Sequence, residues 1–141
     1  MEKDPVCMYC NPDERQSALM FKICDLSVSE LFFFKEQSHP GRCIVAYKHH
    51  AQEIFDMPAA DQAAFIADVA RAAKAITTVY GCDKINYGAF GDRKPSHLHM
   101  HLVPKYEDQF EWGNVFAMNP QAVYLSDAEY QAAIDKIKQA L

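Results

Sequence analysis

The sequence lacks any apolar run near the roughly 18 residues that cross a bilayer, and its N-terminus, MEKDPVCMYC, lacks the uninterrupted apolar core of a secretory signal. These absences lead to the expectation of a cytoplasmic protein with no membrane partner. Basic charge is also in short supply, since 14 Lys and Arg stand against 19 Asp and Glu for a net charge of −5. Broad binding of nucleic acid needs clustered Lys and Arg that release counterions, so no nucleic-acid partner is expected. Anionic ligands must instead be held by local devices. No internal repeat, low-complexity tract or Ser/Gly linker divides the chain. Residues 1–141 are therefore expected to form one domain, large enough to bury a core without disulfide staples. The five cysteines (Cys7, Cys10, Cys24, Cys43, Cys82) are an odd count without a secretion signal, which reads as reduced thiols and metal ligands rather than a disulfide framework.

What is present is a set of short apolar runs separated by breakers. Leu19–Asp25, Glu30–Lys35 and Cys43–Lys48 are β-prone and read as an antiparallel meander, split by Ser27-Val28 and by Ser38-His39-Pro40-Gly41. From Pro58 to Tyr80 the period becomes helical, with Phe65, Val69, Ala73, Ile76 and Tyr80 on one stripe and Asp61, Asp68, Arg71, Lys74 and Thr78 away from it. Pro58 and Gly81 punctuate its ends. Lys84–Phe90 and His97–Val103 form a further hairpin pattern around the loop Gly91–Ser96. A last helix starts at the capping box Ser126/Glu129, with Leu125 and Tyr130 at staple positions and Ile134, Ile137 and Leu141 on its stripe. The pattern predicts an α+β domain with an antiparallel sheet of about five strands, one long helix and a C-terminal helix.

Six histidines are the compositional oddity, and three of them, His97, His99 and His101, alternate with Leu98, Met100 and Leu102. On a strand that alternation places all three imidazoles on one face and the apolar residues on the other. Two chemistries suit such a row. The imidazoles can ligate a metal, or one can attack phosphorus while its neighbours donate to the oxygens that gain charge. Spacing alone leaves both open.

The run His97-Leu98-His99-Met100-His101-Leu102-Val103 resembles the H-x-H-x-H motif, followed by two hydrophobic residues, of the histidine-triad (HIT) superfamily of nucleotide hydrolases and transferases. Cys7-Met8-Tyr9-Cys10 is similar to the N-terminal C-x-x-C of many bacterial members, and Gly41–His50 to a family strand ending in Lys-x-His. The resemblance covers about residues 7 to 112. It implies that His99 attacks the α-phosphorus of a nucleotide and forms a nucleotidyl-histidine that water hydrolyses. It implies that His101 hydrogen-bonds the phosphate and that His97 holds the neighbouring geometry or ligates metal.

In the zinc-bearing relatives the C-x-x-C is completed by a His ahead of the long helix and by the first His of the motif. Carried over, Cys7, Cys10, His50 and His97 would hold a structural zinc, with His49 as the alternative to His50. Asn86 stands where the Hint branch has an Asn beside the phosphate, and a hairpin register would set it next to His99. Arg93 and Ser96, in the loop before the triad, are candidates for contact with an anionic substrate. Phe33, with Phe21, Ile23 and Ile44, is a candidate for the apolar nucleoside cleft. Trp112 reads equally as an interface or a substrate-rim residue.

One departure matters. The Hint branch has Gly-Gln-Ser-Val where this chain reads Gly91-Asp92-Arg93-Lys94-Pro95-Ser96, so its leaving-group positions become Arg93 and Lys94. That favours a more anionic leaving group, such as a pyrophosphate or polyphosphate. The resemblance thus implies a homodimeric hydrolase of a dinucleoside polyphosphate or nucleoside phosphoramidate, with a purine as base. Two rivals stand beside it: a purine-nucleotide-binding regulatory module with incidental turnover, and a metal-binding protein that uses His97, His99 and His101 as a zinc face.

Overall fold

The computed structural model describes residues 3–91, 96–117 and 121–141. A short helix α1 (Glu14–Leu19), capped by Asp13, leads into strand β1 (Met20–Asp25). Strands β2 (Ser29–Phe34) and β3 (Cys43–Tyr47) complete the expected meander. Helix α2 (Ala59–Tyr80) follows and ends on Gly81, whose φ of 62° places it in the left-handed region that a glycine adopts without steric cost. Strands β4 (Lys84–Gly88) and β5 (His99–Lys105) then form an antiparallel hairpin, and β5 inserts beside β3 to give the order β1-β2-β3-β5-β4. The C-terminal helix α3 (Asp127–Ala140) carries the anticipated capping box, with Ser126 and Glu129 bonded reciprocally. The result is the α+β architecture with a five-stranded antiparallel sheet. No helix among the described residues is long and apolar enough to cross a membrane.

The two faces of the sheet bury different things. Leu31, Phe33, Cys43, Val45, Tyr47 and Leu102 pack against Phe65, Val69, Ala72 and Ile76 of α2, forming the main core together with Tyr130, Ile134 and Ile137 of α3. On the opposite face, Phe32, Ile44 and Ala46 are covered by Cys7, Tyr9 and Cys10 of the N-terminal segment. Register makes this division strict, because paired residues on antiparallel strands share a face. Ile44 pairs with His101 and Ala46 with His99, so both histidines belong to the face beneath the N-terminal segment.

Two expectations change here. Phe33 pairs with Phe21 and Cys43 and is fully buried on the helix side, so Phe33, Phe21 and Ile23 cannot line a cleft on the histidine face. An alternating strand cannot turn every member of Phe32-Phe33-Phe34 to one side, and Phe32 and Phe34 take the histidine face. Asp68, expected on the solvated side of its helix, is 4 % exposed. Its carboxylate accepts from the backbone N–H groups of Ser27 and Val28 and from the Ser29 hydroxyl, clamping the β1–β2 turn to α2.

Candidate functional site

Strand β5 carries the histidine row, and its first member needs a separate account. Because β3 ends at Tyr47, the ladder is continued at residues 97–98 by loop contacts, with Leu98 N–H donating to Ala51 O and Tyr47 N–H donating to Leu98 O. His97 therefore precedes the strand proper, which starts at His99, yet stays in line with it. One ring, Tyr9, stacks on both, with centroids 4.9 Å from His97 and 5.2 Å from His99.

Each imidazole has a different fixed partner, and the partner decides its tautomer. The Nε2–H of His97 donates to the Tyr47 carbonyl at 2.7 Å, which leaves Nδ1 bare. The Nδ1–H of His99 donates to the His97 carbonyl at 2.8 Å, which leaves Nε2 bare. At His101 the order reverses, because Nδ1 faces the Arg42 guanidinium, with Nη2 at 3.0 Å. A guanidinium offers only donors, so His101 Nδ1 accepts and its proton sits on Nε2. One bare nitrogen and one N–H donor thus stand on adjacent rings whose centroids are 5.1 Å apart. Burial lowers the pKa of all three, to about 4 for His97 and about 3 for His101, where the Arg42 charge adds to burial. They are neutral at pH 7, as a nucleophile or a metal ligand must be.

The bare Nδ1 of His97 looks at the cysteines. It lies 3.4 Å from Cys7 Sγ and 3.7 Å from Cys10 Sγ, and His50 Nδ1 lies 3.3 Å from Cys10 Sγ. Ligand atoms of Cys7, Cys10, His50 and His97 all fall within 4.8 Å of one another. Tetrahedral zinc with bonds of about 2.0–2.3 Å requires ligand separations of roughly 3.3–3.8 Å, so the observed spacings fit. The Nε2–H···O=C bond of His97 is the outer partner that a ligating histidine needs. The structure resolves the choice between neighbours, bringing His50 and not His49 into the group. Among the described residues, His99 and His101 are not part of any such group, which counts against a zinc face made of the three triad imidazoles.

The remaining candidates scatter. Ser96 lines a depression of about 90 Å³ together with Glu53, Phe90, His97 and His99. Asn86 lies on the histidine face but pairs with Val103, while Gly88 pairs with His101. The expected placement beside His99 is thus displaced along the strand, because the hairpin has a longer loop than the simple register assumed. Asn86 instead lines a cleft of about 690 Å³ with Lys84, Lys105, Trp112 and Val115. Arg93 falls outside the described residues.

Sequence reasoning missed Arg42, Tyr9 and His39. Arg42 is 1 % exposed, and its place in Gly41-Arg42-Cys43 at a strand entrance reads as an ordinary surface position. Tyr9 was legible only as the filler of a C-x-x-C. His39 donates from Nε2 to Glu111 Oε2 at 2.8 Å, fastening the segment after β5 to the β2–β3 turn. Lys105 Nζ, donating to the carbonyls of Glu111 and Asn114, fastens the same segment from below.

Solved structures share this arrangement of elements. A histidine triad protein from Bradyrhizobium japonicum matches with a TM-score of 0.81 and 23 % identity, over 91 % of this chain and 95 % of that one. One from Marinobacter aquaeolei VT8 matches with 0.82 and 19 %, over 93 % and 95 %. A Zn-bound histidine triad family protein from Mycobacterium smegmatis matches with 0.58 and 20 %, over 85 % and 87 %. At these identities the likeness carries the fold. Among curated proteins no match is found. Residues 21–108, more than half of the chain and including the His97-x-His99-x-His101 row, match the family model described as HIT domain, and the chain belongs to the HIT domain family.

Proposed function

We propose that the protein hydrolyses a nucleotide at its α-phosphate through a covalent nucleotidyl-histidine on His99. The observation that carries this reading is the complementary pair of tautomers, a bare Nε2 on His99 beside an Nε2–H on His101. In the first step the His99 Nε2 lone pair attacks phosphorus and the bond to the leaving group breaks, the leaving group taking the bonding electrons. In the second, water attacks the nucleotidyl-histidine, the P–N bond breaks, and a nucleoside monophosphate is released with His99 restored. His101 donates to a non-bridging oxygen as its charge grows; one such donor is worth about 10²–10³-fold in rate. Splitting the displacement into two steps through a good leaving group is the gain of covalent catalysis.

The depression beside His99 suits a phosphate group, being well below the ~300–1,000 Å³ of a site that encloses a whole ligand. Ser96 lies on its wall. A purine nucleoside would extend over the histidine face toward Phe34, with Asn86 and Arg93 as candidates for contact with the anionic part of the substrate. Zinc fits the four ligands Cys7, Cys10, His50 and His97. With no ligand position left for water, it would supply folding energy and tie the N-terminal segment to the sheet, not chemistry. A homodimer is proposed across the open edge of β4, where Tyr87 is exposed, with Ile66 exposed on α2.

The test is turnover of diadenosine polyphosphates, adenosine phosphoramidate and their guanosine and uridine counterparts by the intact protein. The expected result is release of a purine monophosphate, fastest from the polyphosphates. A clear preference for the phosphoramidate contradicts the anionic leaving group. Tight nucleotide binding without turnover supports the regulatory-module reading instead.

A further inference from the structure

Arg42 is held with unusual care for a side chain that sequence would place on the surface. It follows Gly41, whose φ of +92° makes the turn into β3 and whose missing Cβ leaves room for the Tyr80 ring, the nearest atom of which would lie 2.8 Å away. The Gly41 N–H donates to Gln37 Oε1 at 2.9 Å, fixing that turn. The guanidinium carbon then lies 4.4 Å from the Phe34 ring centroid and 5.6 Å from that of Phe116. Taking a guanidinium out of water costs several kcal/mol unless something compensates, and planar stacking on rings suits Arg as it does not suit Lys. This seat brings Nη2 to 3.0 Å from His101 Nδ1.

We propose that Arg42 is a positioning residue of the triad, which locks His101 in the Nε2–H tautomer and so makes it a donor, never an acceptor, toward the bound substrate. His99 supplies the contrast on the same strand. With a carbonyl at its Nδ1 it has the opposite tautomer and a bare Nε2. An Arg in one place and a carbonyl in the other thus turn two identical side chains into an electrophilic and a nucleophilic partner. The role also explains why the seat must be charged and dry. A cation beside Nδ1 opposes a second proton on the ring, so His101 stays neutral instead of becoming a second cation. Among the described residues, the charged or titratable groups facing His101 are Arg42, just ahead of β3, and His99 from β5, while β2 and the segment after β4 contribute the rings of Phe34 and Phe90. The identity of the acceptor as phosphate rests on the proposed hydrolysis; the tautomer does not.

The direct experiment is long-range proton–nitrogen correlation NMR on the full-length protein labelled with ¹⁵N-histidine, for wild type, Arg42→Leu and Arg42→Gln. The expected wild-type spectrum has His101 protonated at Nε2 and bare at Nδ1. Arg42→Leu should lose that preference, whereas Arg42→Gln, whose amide can still donate, should retain it. In turnover, Arg42→Leu should lower kcat by about 10²-fold with KM changed less than threefold, and Arg42→Gln should recover at least tenfold. A rise in KM with kcat intact would mean that Arg42 binds substrate directly, and overturns the proposal. So does a wild-type His101 protonated at Nδ1, a result that needs no folded variant. Because the spectrum needs no substrate, failure of every nucleotide to turn over would refute the hydrolase reading while leaving the tautomer result to support or overturn the role of Arg42.

Discussion

The two ends of the histidine row use one side chain for opposite purposes. At the His97 end the ring is pinned by a carbonyl at Nε2 and turns its bare Nδ1 to two thiols and His50, all inward and close-packed. At the His101 end the ring is pinned by Arg42 at Nδ1 and keeps its N–H on the other nitrogen. His99 lies between, its Nδ1 bonded to the backbone of the first and its ring beside the second. The lesson is that an H-x-H-x-H pattern specifies a face, and the atom opposite each ring specifies the chemistry. On the proposed reading, one end closes the fold and the other meets the substrate.

That division can be broken by experiment. The largest expected effect is at the centre of the row, where His99→Gly should lower kcat/KM by at least about 10⁴-fold, the scale on which removal of a nucleophile acts. Near-normal turnover would dissolve the distinction between the ends. Next, His101→Ala should cost about 10²–10³-fold in kcat, measured in the same assay, as one lost donor to developing charge.

At the other end the sign of the effect changes from rate to stability. Cys7→Ser and Cys10→Ser should lose bound zinc by metal analysis and lower the unfolding midpoint by roughly 5–10 °C, equivalent to about 2 kcal/mol or more. Turnover by the folded fraction should stay within about tenfold of wild type. A loss as deep as that of His99→Gly would mean that the metal cluster takes part in the chemistry.

The smallest effect is on pH dependence. His101 has its folded pKa depressed to about 3 by burial and by Arg42, whereas the unfolded imidazole titrates near its usual 6.5. Between those values the unfolded chain binds a proton that the folded one does not, so stability falls as pH drops from about 6.5 and levels off near 3. Urea unfolding of wild type and His101→Gln over that range should give a shallower loss in the variant. Parallel curves would place the proton elsewhere.

Much of the fold was legible, because its signals are local. The α2 stripe, the Ser126/Glu129 box and the alternation around β5 each state their structure within a dozen residues. The Cys7, Cys10 and His97 juxtaposition followed from the family resemblance, and folding then selected His50 over His49. What could not be read depends on pairing across strands. Phe33 is indistinguishable from Phe32 and Phe34 by residue type, and only register assigns it to the helix side. Asp68 and Arg42 are charged residues that sequence assigns to water, and each is buried by a contact made far along the chain. Asn86 went astray by loop length alone, since every change of hairpin loop moves the register of the strand behind it.

The central claim is that His99 carries the nucleotidyl group, and intact-protein mass spectrometry of acid-free quenched turnover tests it most directly. The account predicts a wild-type species heavier by one nucleoside monophosphate less water, mapped by peptide sequencing to His99 and absent in His99→Gly. Turnover with no adduct at any quench time, or an adduct mapped to His97 or His101, would contradict it.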